Sequence, residues 1–268
     1  MRNSRYRAPA ALLLLLGCLA APSAALAQVP EPPPPADTLS PPPPPPPPVV
    51  RVINPAAVRW YHVAAGFGVV GLASLADESL RDNLQAHRTS GKDDVAKVFR
   101  RMGQPEVFGV VGLGTIAVGL IAGNDKVRLA GERISAGLLT AATITSALKL
   151  AVGRHRPGGT PTDAFRFDPF SSDDSWPSGH TTMAFALAAS VSDELHSTPA
   201  TIGLYSAAGL TAWSRLNDDK HWLSDVVMGS LVGITSAKLM SGRWRVLGVR
   251  APKFLFGPAG TVVFSSTF

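Results

Sequence analysis

Between Val50 and Ser241 one pattern recurs six times: an apolar stretch rich in Ala, Gly and Leu, closed by Gly or Pro punctuation. The stretches are Trp60–Ala76, Val107–Asn124, Ile134–Val152, Thr181–Leu195, Ile202–Ser214 and Trp222–Met240. A typical strand is about five or six residues long, and these runs are far longer, so they predict helices. About 190 residues suit one domain. The expectation is therefore an all-α fold, a bundle of six core helices over residues 51–241. Residues Asp77–Gln104 are polar and charged, with a short amphipathic helix predicted around Asp93–Met102. In the tail, residues 242–268, Ala251–Phe256 and Thr261–Phe268 flank Gly257-Pro258-Ala259-Gly260, the pattern of a β-hairpin.

The N-terminus follows other rules. Arg2, Arg5 and Arg7 precede the apolar run Ala8–Ala20, and Ala25-Leu26-Ala27 is a small-x-small cleavage site. Residues 1–27 thus read as a secretory signal peptide, with the mature chain starting near Gln28. Leu15-Leu16-Gly17-Cys18 resembles a bacterial lipoprotein box and is a competing processing site. Cys18 is the single cysteine, so the mature chain has no disulfide and no cysteine metal site. Removing the leader leaves 22 basic against 19 acidic side chains, a net charge of +3 rather than +6. The basic balance is partly a targeting feature, and no basic patch with interleaved aromatics points to nucleic acid. Residues 28–50 form a linker in which Pro30–Pro48 holds 13 of the 24 prolines, an extended spacer.

Three short motifs carry chemistry. Lys149 and Arg156 are seven apart, nearly two helical turns, and Pro157 stops the helix. Two cations there suit either an anion or a solvated face. Pro177-Ser178-Gly179-His180 opens a helix with a good N-cap and a glycine that lets a ligand approach the backbone. Such a start binds phosphate through its free N–H groups, and His180 can deliver a proton to a leaving oxygen; an ordinary capped helix reads the same way. Ser214-Arg215-(x5)-His221-(x3)-Asp225 places an imidazole and a carboxylate four apart, on one face if helical. There the carboxylate would fix the tautomer of His221 while Arg215 grips an oxyanion; a helix-surface ion cluster is the alternative. Together the motifs fix eleven residue identities in order, all at helix ends.

That combination resembles the three-part signature of the type-2 phosphatidic acid phosphatase superfamily, which includes lipid phosphatases, bacterial class A acid phosphatases and vanadium haloperoxidases. The resemblance covers roughly Lys149 to Met240. It implies a metal-independent phosphatase with no cofactor, in which His221 attacks phosphorus and forms a phosphohistidine. Asp225 would orient His221, and His180 would protonate the leaving oxygen. Lys149, Arg156, Arg215, the Ser178 hydroxyl and the Gly179 N–H would hold the phosphoryl oxygens. Arg154 and His155 are candidates to support them, while Asp173 and Asp174 read as solvated loop residues.

The implied substrate is a phosphorylated lipid or a small phosphate ester or diphosphate. A vanadate-dependent haloperoxidase and an inactive envelope-tethering protein are the competing readings. The longest charge-free runs, Val107–Asn124 and Ser197–Ser214, reach only 18 residues, against the ~20 apolar residues of a spanning helix. With the leader, this predicts a domain exported to the bacterial periplasm, soluble or bound at the membrane surface. The six Lys and Arg of Asp77–Gln104 favour the alternative, an integral inner-membrane protein.

Overall fold

The longest helix shows how local sequence sets the frame. Asn124 caps its start, its side chain accepting from the N–H groups of Lys126 and Val127. Gly153 ends it in the left-handed region at φ 58°. A Cβ there would also collide with the carbonyl of Asp168, so conformation and space both require glycine.

The computed structural model describes residues 54–159 and 162–251 and the backbone of strands 253–256 and 262–265. All lie in one compact unit, Arg51–Phe268. The signal peptide, the lipoprotein box with Cys18, the Pro-rich linker and the hairpin turn lie outside the described residues. In chain order come β1 (Ala56–Val58), α1 (Trp60–Ser74), α2 (Asp77–Ala86), α3 (Ser90–Arg101), α4 (Pro105–Ile121) and α5 (Asp125–Val152). Then follow α6 (Gly179–Leu195), α7 (Thr198–Asn217), α8 (Leu223–Met240), β2 (Trp244–Val246), β3 (Lys253–Phe256) and β4 (Val262–Ser265). The all-α bundle and its six long helices are present, with α3 near its expected place. Helix α2 is an addition that the polar stretch did not announce. Strands β3 and β4 pair antiparallel, Lys253 opposite Ser265. Strand β1 pairs parallel with β2, Ala56 opposite Trp244, which sequence periodicity did not predict.

Helix α8 packs against α6, α5 and α1, while α7 lies on α6, α4 on α5 and α3 on α7. The central α6–α8 contact is made by small residues. Gly229 and Gly233, four apart on α8, face α6; a Cβ on Gly229 would lie 2.8 Å from the Ser178 carbonyl, and one on Gly233 2.9 Å from Ala186 N. Buried Ala184, Ala186, Ala188 and Ala189 of α6 complete a seam that lets two backbones approach closely. A larger-side-chain cluster of Phe108, Ile134, Leu138 and Leu187 joins α4, α5 and α6.

The helices run past the charge-free stretches counted in the sequence. Three are long and apolar enough to cross a membrane: the 32-residue run Ser90–Ile121, the 28-residue α5 and the 18-residue α8. Helices α1 and α2, bent by 49°, qualify as a pair. At 1.5 Å per residue α5 is about 42 Å long, more than the ~30 Å hydrocarbon core. Charges at its start do not end it, because Arg128 pairs with Glu132 at 2.6 Å and with Asp125 at 3.1 Å along the same helix. Phe67, Leu72, Val110, Leu113, Leu139 and Leu150 point outward on α1, α4 and α5. Long apolar helices with outward apolar faces are the construction of a membrane protein, and the expectation that the run Val107–Asn124 is too short to span is corrected, whereas α7, which holds the run Ser197–Ser214, is not among the candidate spans.

Gly233→Val tests the central seam. Overpacking is expected to cost about 1–3 kcal/mol or more, read as a lower thermal unfolding midpoint in detergent.

Candidate active site

Helices α5 and α7 end where α6 and α8 begin, so the three motifs meet at one end of the bundle. Lys149 lies in the last turn of α5 and Arg156 in the loop after it. Ser178 is the N-cap of α6, with Gly179 and His180 in its first turn. Arg215 lies in the last turn of α7. His221 falls in the turn before α8, and Asp225 in the first turn of α8. His221 and Asp225 therefore do not share a helical face, as their spacing suggested; a capping turn brings them together instead. Asp225 Oδ2 accepts from Trp222 N at 2.9 Å, which folds the chain back over the helix start.

His221 is 4% exposed and Asp225 fully buried. Their Nδ1 and Oδ2 atoms are 3.4 Å apart, too long and off-axis for a good hydrogen bond, and Nδ1 has no other partner among the described residues. The carboxylate is held from several sides. Oδ1 accepts from Arg154 at 2.6 Å and Oδ2 from Ser175 Oγ at 2.6 Å. The Asp225 carbonyl accepts from Ser178 N at 3.0 Å, tying the starts of α6 and α8. Ser178 is buried and caps by position, but its hydroxyl makes no cap bond; it accepts from Thr181 Oγ1 at 3.0 Å and keeps its own proton to donate.

The cations are crowded. Arg215 is buried beside Asp218 at 3.1 Å, and its Nε has no partner among the described residues. Lys149 donates to the Asp174 carbonyl. Arg156 reaches Asp174 Oδ1 with Nε at 2.9 Å and a terminal nitrogen at 2.7 Å. Asp174 is thus no solvated loop residue but the resident anion between Lys149 and Arg156, and it corrects the sequence reading. Although burial raises its carboxyl, Lys149 and Arg156 outweigh that and hold it below the usual range.

Arg154 and His155 have distinct places. Arg154 is buried against Asp225, and His155 Nε2 sits 3.1 Å from Asp173. His155, Asp168 and Asp173 bring ligand atoms within 4.8 Å of one another, the metal-competent grouping among the described residues, but Asp168 is exposed and none of the three motif histidines or aspartates belongs to it. Sequence reasoning missed Asp77, Ser175 and Ser224, which all bind the Arg154–Asp225 pair. Beyond Arg154 an apolar cavity of about 230 Å³ lies between α1, the end of α5, Phe165, Phe167 and Trp176.

Burial and the surrounding cations depress both histidines. His180 is pushed down to about 4, by burial first and then by Arg215, His221, Arg100 and Arg156. His221 is lowered by burial, against the opposing pull of Asp225. Both rings are neutral near pH 7, one suited to nucleophilic attack and the other to proton traffic once an anion arrives.

Residues 133–245 match the PAP2 superfamily model. The lipid A 1-phosphatase of Porphyromonas gingivalis is 30% identical over 185 residues, covering 64% of this chain and 36% of that protein. The chain thus spans about a third of that relative's length. Among solved structures, the first transmembrane PAP2 type phosphatidylglycerolphosphate phosphatase from Bacillus subtilis shares the fold, with a TM-score of 0.52 and 19% identity over 68% of this chain and 95% of that one. Aquifex aeolicus LpxE aligns with a TM-score of 0.46 and 20% identity over 62% of this chain and 94% of that one.

The depressed histidines set a pH dependence. Between pH 6.5, the ordinary histidine value, and about 4, the unfolded chain binds a proton that folded His180 refuses. Stability is therefore present above that window and lost as pH falls through it. The thermal midpoint is expected to drop over this range, and less steeply in His180→Asn.

Proposed function

We propose that this chain, whose residues 133–245 match the PAP2 superfamily model, is a metal-independent phosphatase of that superfamily, acting on a lipid phosphate through a phosphohistidine. The observation that carries the reading is the meeting of Lys149, Arg156 and Arg215 with two neutral histidines at one end of the bundle, with a buried Arg215 Nε that has no partner among the described residues.

Phosphoryl transfer needs positioning and neutralisation of the equatorial oxygens rather than covalent assistance. Lys149, Arg156, Arg215, the Ser178 hydroxyl and the Gly179 N–H supply both. A Cβ at Gly179 would meet only Lys149 Cε, at an ordinary 3.7 Å, so protein packing does not require glycine there; ligand approach to the N–H does. The phosphoryl group displaces Asp174 from Arg156 and Lys149, and its charge raises the proton affinity of His180. The Nε2 lone pair of His221 forms the N–P bond as the ester P–O bond breaks, and protonated His180 gives its proton to the leaving oxygen. Water then attacks phosphorus, His180 takes back a proton, the N–P bond breaks and phosphate leaves.

The outward apolar helices favour a substrate presented by the bilayer, and the Porphyromonas gingivalis relative is itself a lipid A 1-phosphatase. We place the enzyme in the bacterial cell envelope as an integral membrane protein. The site opens at the end of the bundle away from β1 and β2, since β1 precedes α1 and β2 follows α8.

The test is phosphate release by purified protein in detergent with EDTA, from a long-chain lipid phosphate and from p-nitrophenyl phosphate. Turnover of the lipid is expected to exceed that of the small ester. His221→Ala is expected to lower it by about 10³-fold or more. Turnover that survives in His221→Ala, or that EDTA abolishes, overturns the mechanism. Asp174→Asn is expected to tighten inhibition by vanadate or phosphate by several-fold, up to about tenfold for removal of one competing charge.

A further inference from the structure

We propose that Asp77, a residue of α2 outside all three motifs, is a positioning residue that acts on His221 through Arg154 and Asp225. The proposal rests on the phosphatase reading above, with His221 as the attacking group.

Asp77 is the first residue of α2 and is 1% exposed. Its Oδ2 accepts from Arg154 at 2.7 Å and from Ser224 Oγ at 2.6 Å, and its Oδ1 from Ser224 N at 2.8 Å. Arg154 spends its remaining donors on Asp225 Oδ1 at 2.6 Å, on Ser224 Oγ at 2.7 Å and on the Ala164 carbonyl at 2.9 and 2.6 Å. Its guanidinium lies 5.6 Å from the ring centroids of both Phe167 and Trp222. One cation is therefore shared by two carboxylates, and no side chain in the trio exceeds 3% exposure.

The charge arithmetic decides the consequence. Asp77, Arg154 and Asp225 together carry one net negative charge beside His221. With Arg154 and Asp225 alone the sum would be zero. A buried imidazole that becomes cationic when it bonds to phosphorus needs that negative charge, and little solvent is present to replace it. Asp77 restores to Asp225 the field that Arg154 would otherwise cancel, while Arg154 keeps the carboxylate in place. A helix-capping role for Asp77, through Ser224 N, needs only an oxygen acceptor and not a charge; this separates the two roles.

Asp77→Asn keeps the shape and the acceptor and removes the charge. In this variant kcat is expected to fall on the order of tenfold with KM little changed, because no phosphoryl-binding group is touched. The acidic limb of the kcat/KM profile, where His221 must be neutral, is expected to move to lower pH by roughly half a unit or more. The other charged and titratable groups around His221 are common to both proteins: Lys149 of α5, Arg156 and Asp174 of the following loop, His180 of α6, Arg215 of α7 with Asp218, the Arg81–Asp219 pair from α2 and the turn, and Asp225 of α8. The double variant Asp77→Asn/Arg154→Gln removes one charge of each sign and returns the sum to one negative. Its limb is expected back at the wild-type position, with Asp225 still held by Ser175 Oγ and Trp222 N. Titration of His221 in protein labelled with carbon-13 histidine reads the same displacement without turnover. It stands even if no substrate is hydrolysed, so failure of the phosphatase reading and failure of this one are told apart. An unmoved His221 titration in Asp77→Asn, or a double variant displaced from wild type, overturns the proposal.

Discussion

A fully buried carboxylate is costly unless it is neutralised and hydrogen-bonded on every side, and Asp225 meets that condition by drawing on distant parts of the chain. Arg154 comes from the loop after α5, Ser175 from the loop before α6, and the Trp222 N–H from the turn before α8. Arg154 in turn requires Asp77 of α2. Satisfying one charge thus fixes α2, α5, α6 and α8 at the same end. The Ser178 N–H bond to the Asp225 carbonyl then places the α6 N-terminus beside His221. The site and the fold at this end have the same cause.

The pocket has a second electrostatic condition. Lys149, Arg156 and Arg215 converge, and like charges brought together repel. The protein relieves the repulsion in two ways. It leaves His180 and His221 neutral, and it seats acidic residues against the cations, Asp218 on Arg215 and Asp174 across Arg156 and Lys149. The two acids differ in reach. Asp218 is buried and permanent, whereas Asp174 is half exposed on a loop and exchangeable. On the proposed reading, a site that takes up an anion is stable without one because it brings its own.

Much of this was legible in the sequence where local spacing is the cause. The six apolar runs gave the six long helices, and the motif residues lie at helix ends because capping residues, glycine and Pro157 stop the helices there. Asp77 was not legible: it lies 77 residues from Arg154 and 147 from Ser224, in a polar stretch where a solvated acid is the default. Asp174 was misread for the same reason. The His221–Asp225 geometry was foreseen but its cause was not, since the residues meet through a cap rather than a helical face. Charge-free runs understate the length of α5, because Arg128 and Glu132 neutralise each other along it and let it continue.

The short parallel pair of β1 and β2 has an effect on architecture. It holds the segment before α1 against the segment after α8, Val58 beside Val246, at the ~4.8 Å spacing of adjacent strands. The helical unit is therefore closed like a loop with its two ends pinched together, remote from the chemistry. A module with adjoining ends can be spliced into a longer polypeptide, or carry unrelated segments on either end, without bending a single helix.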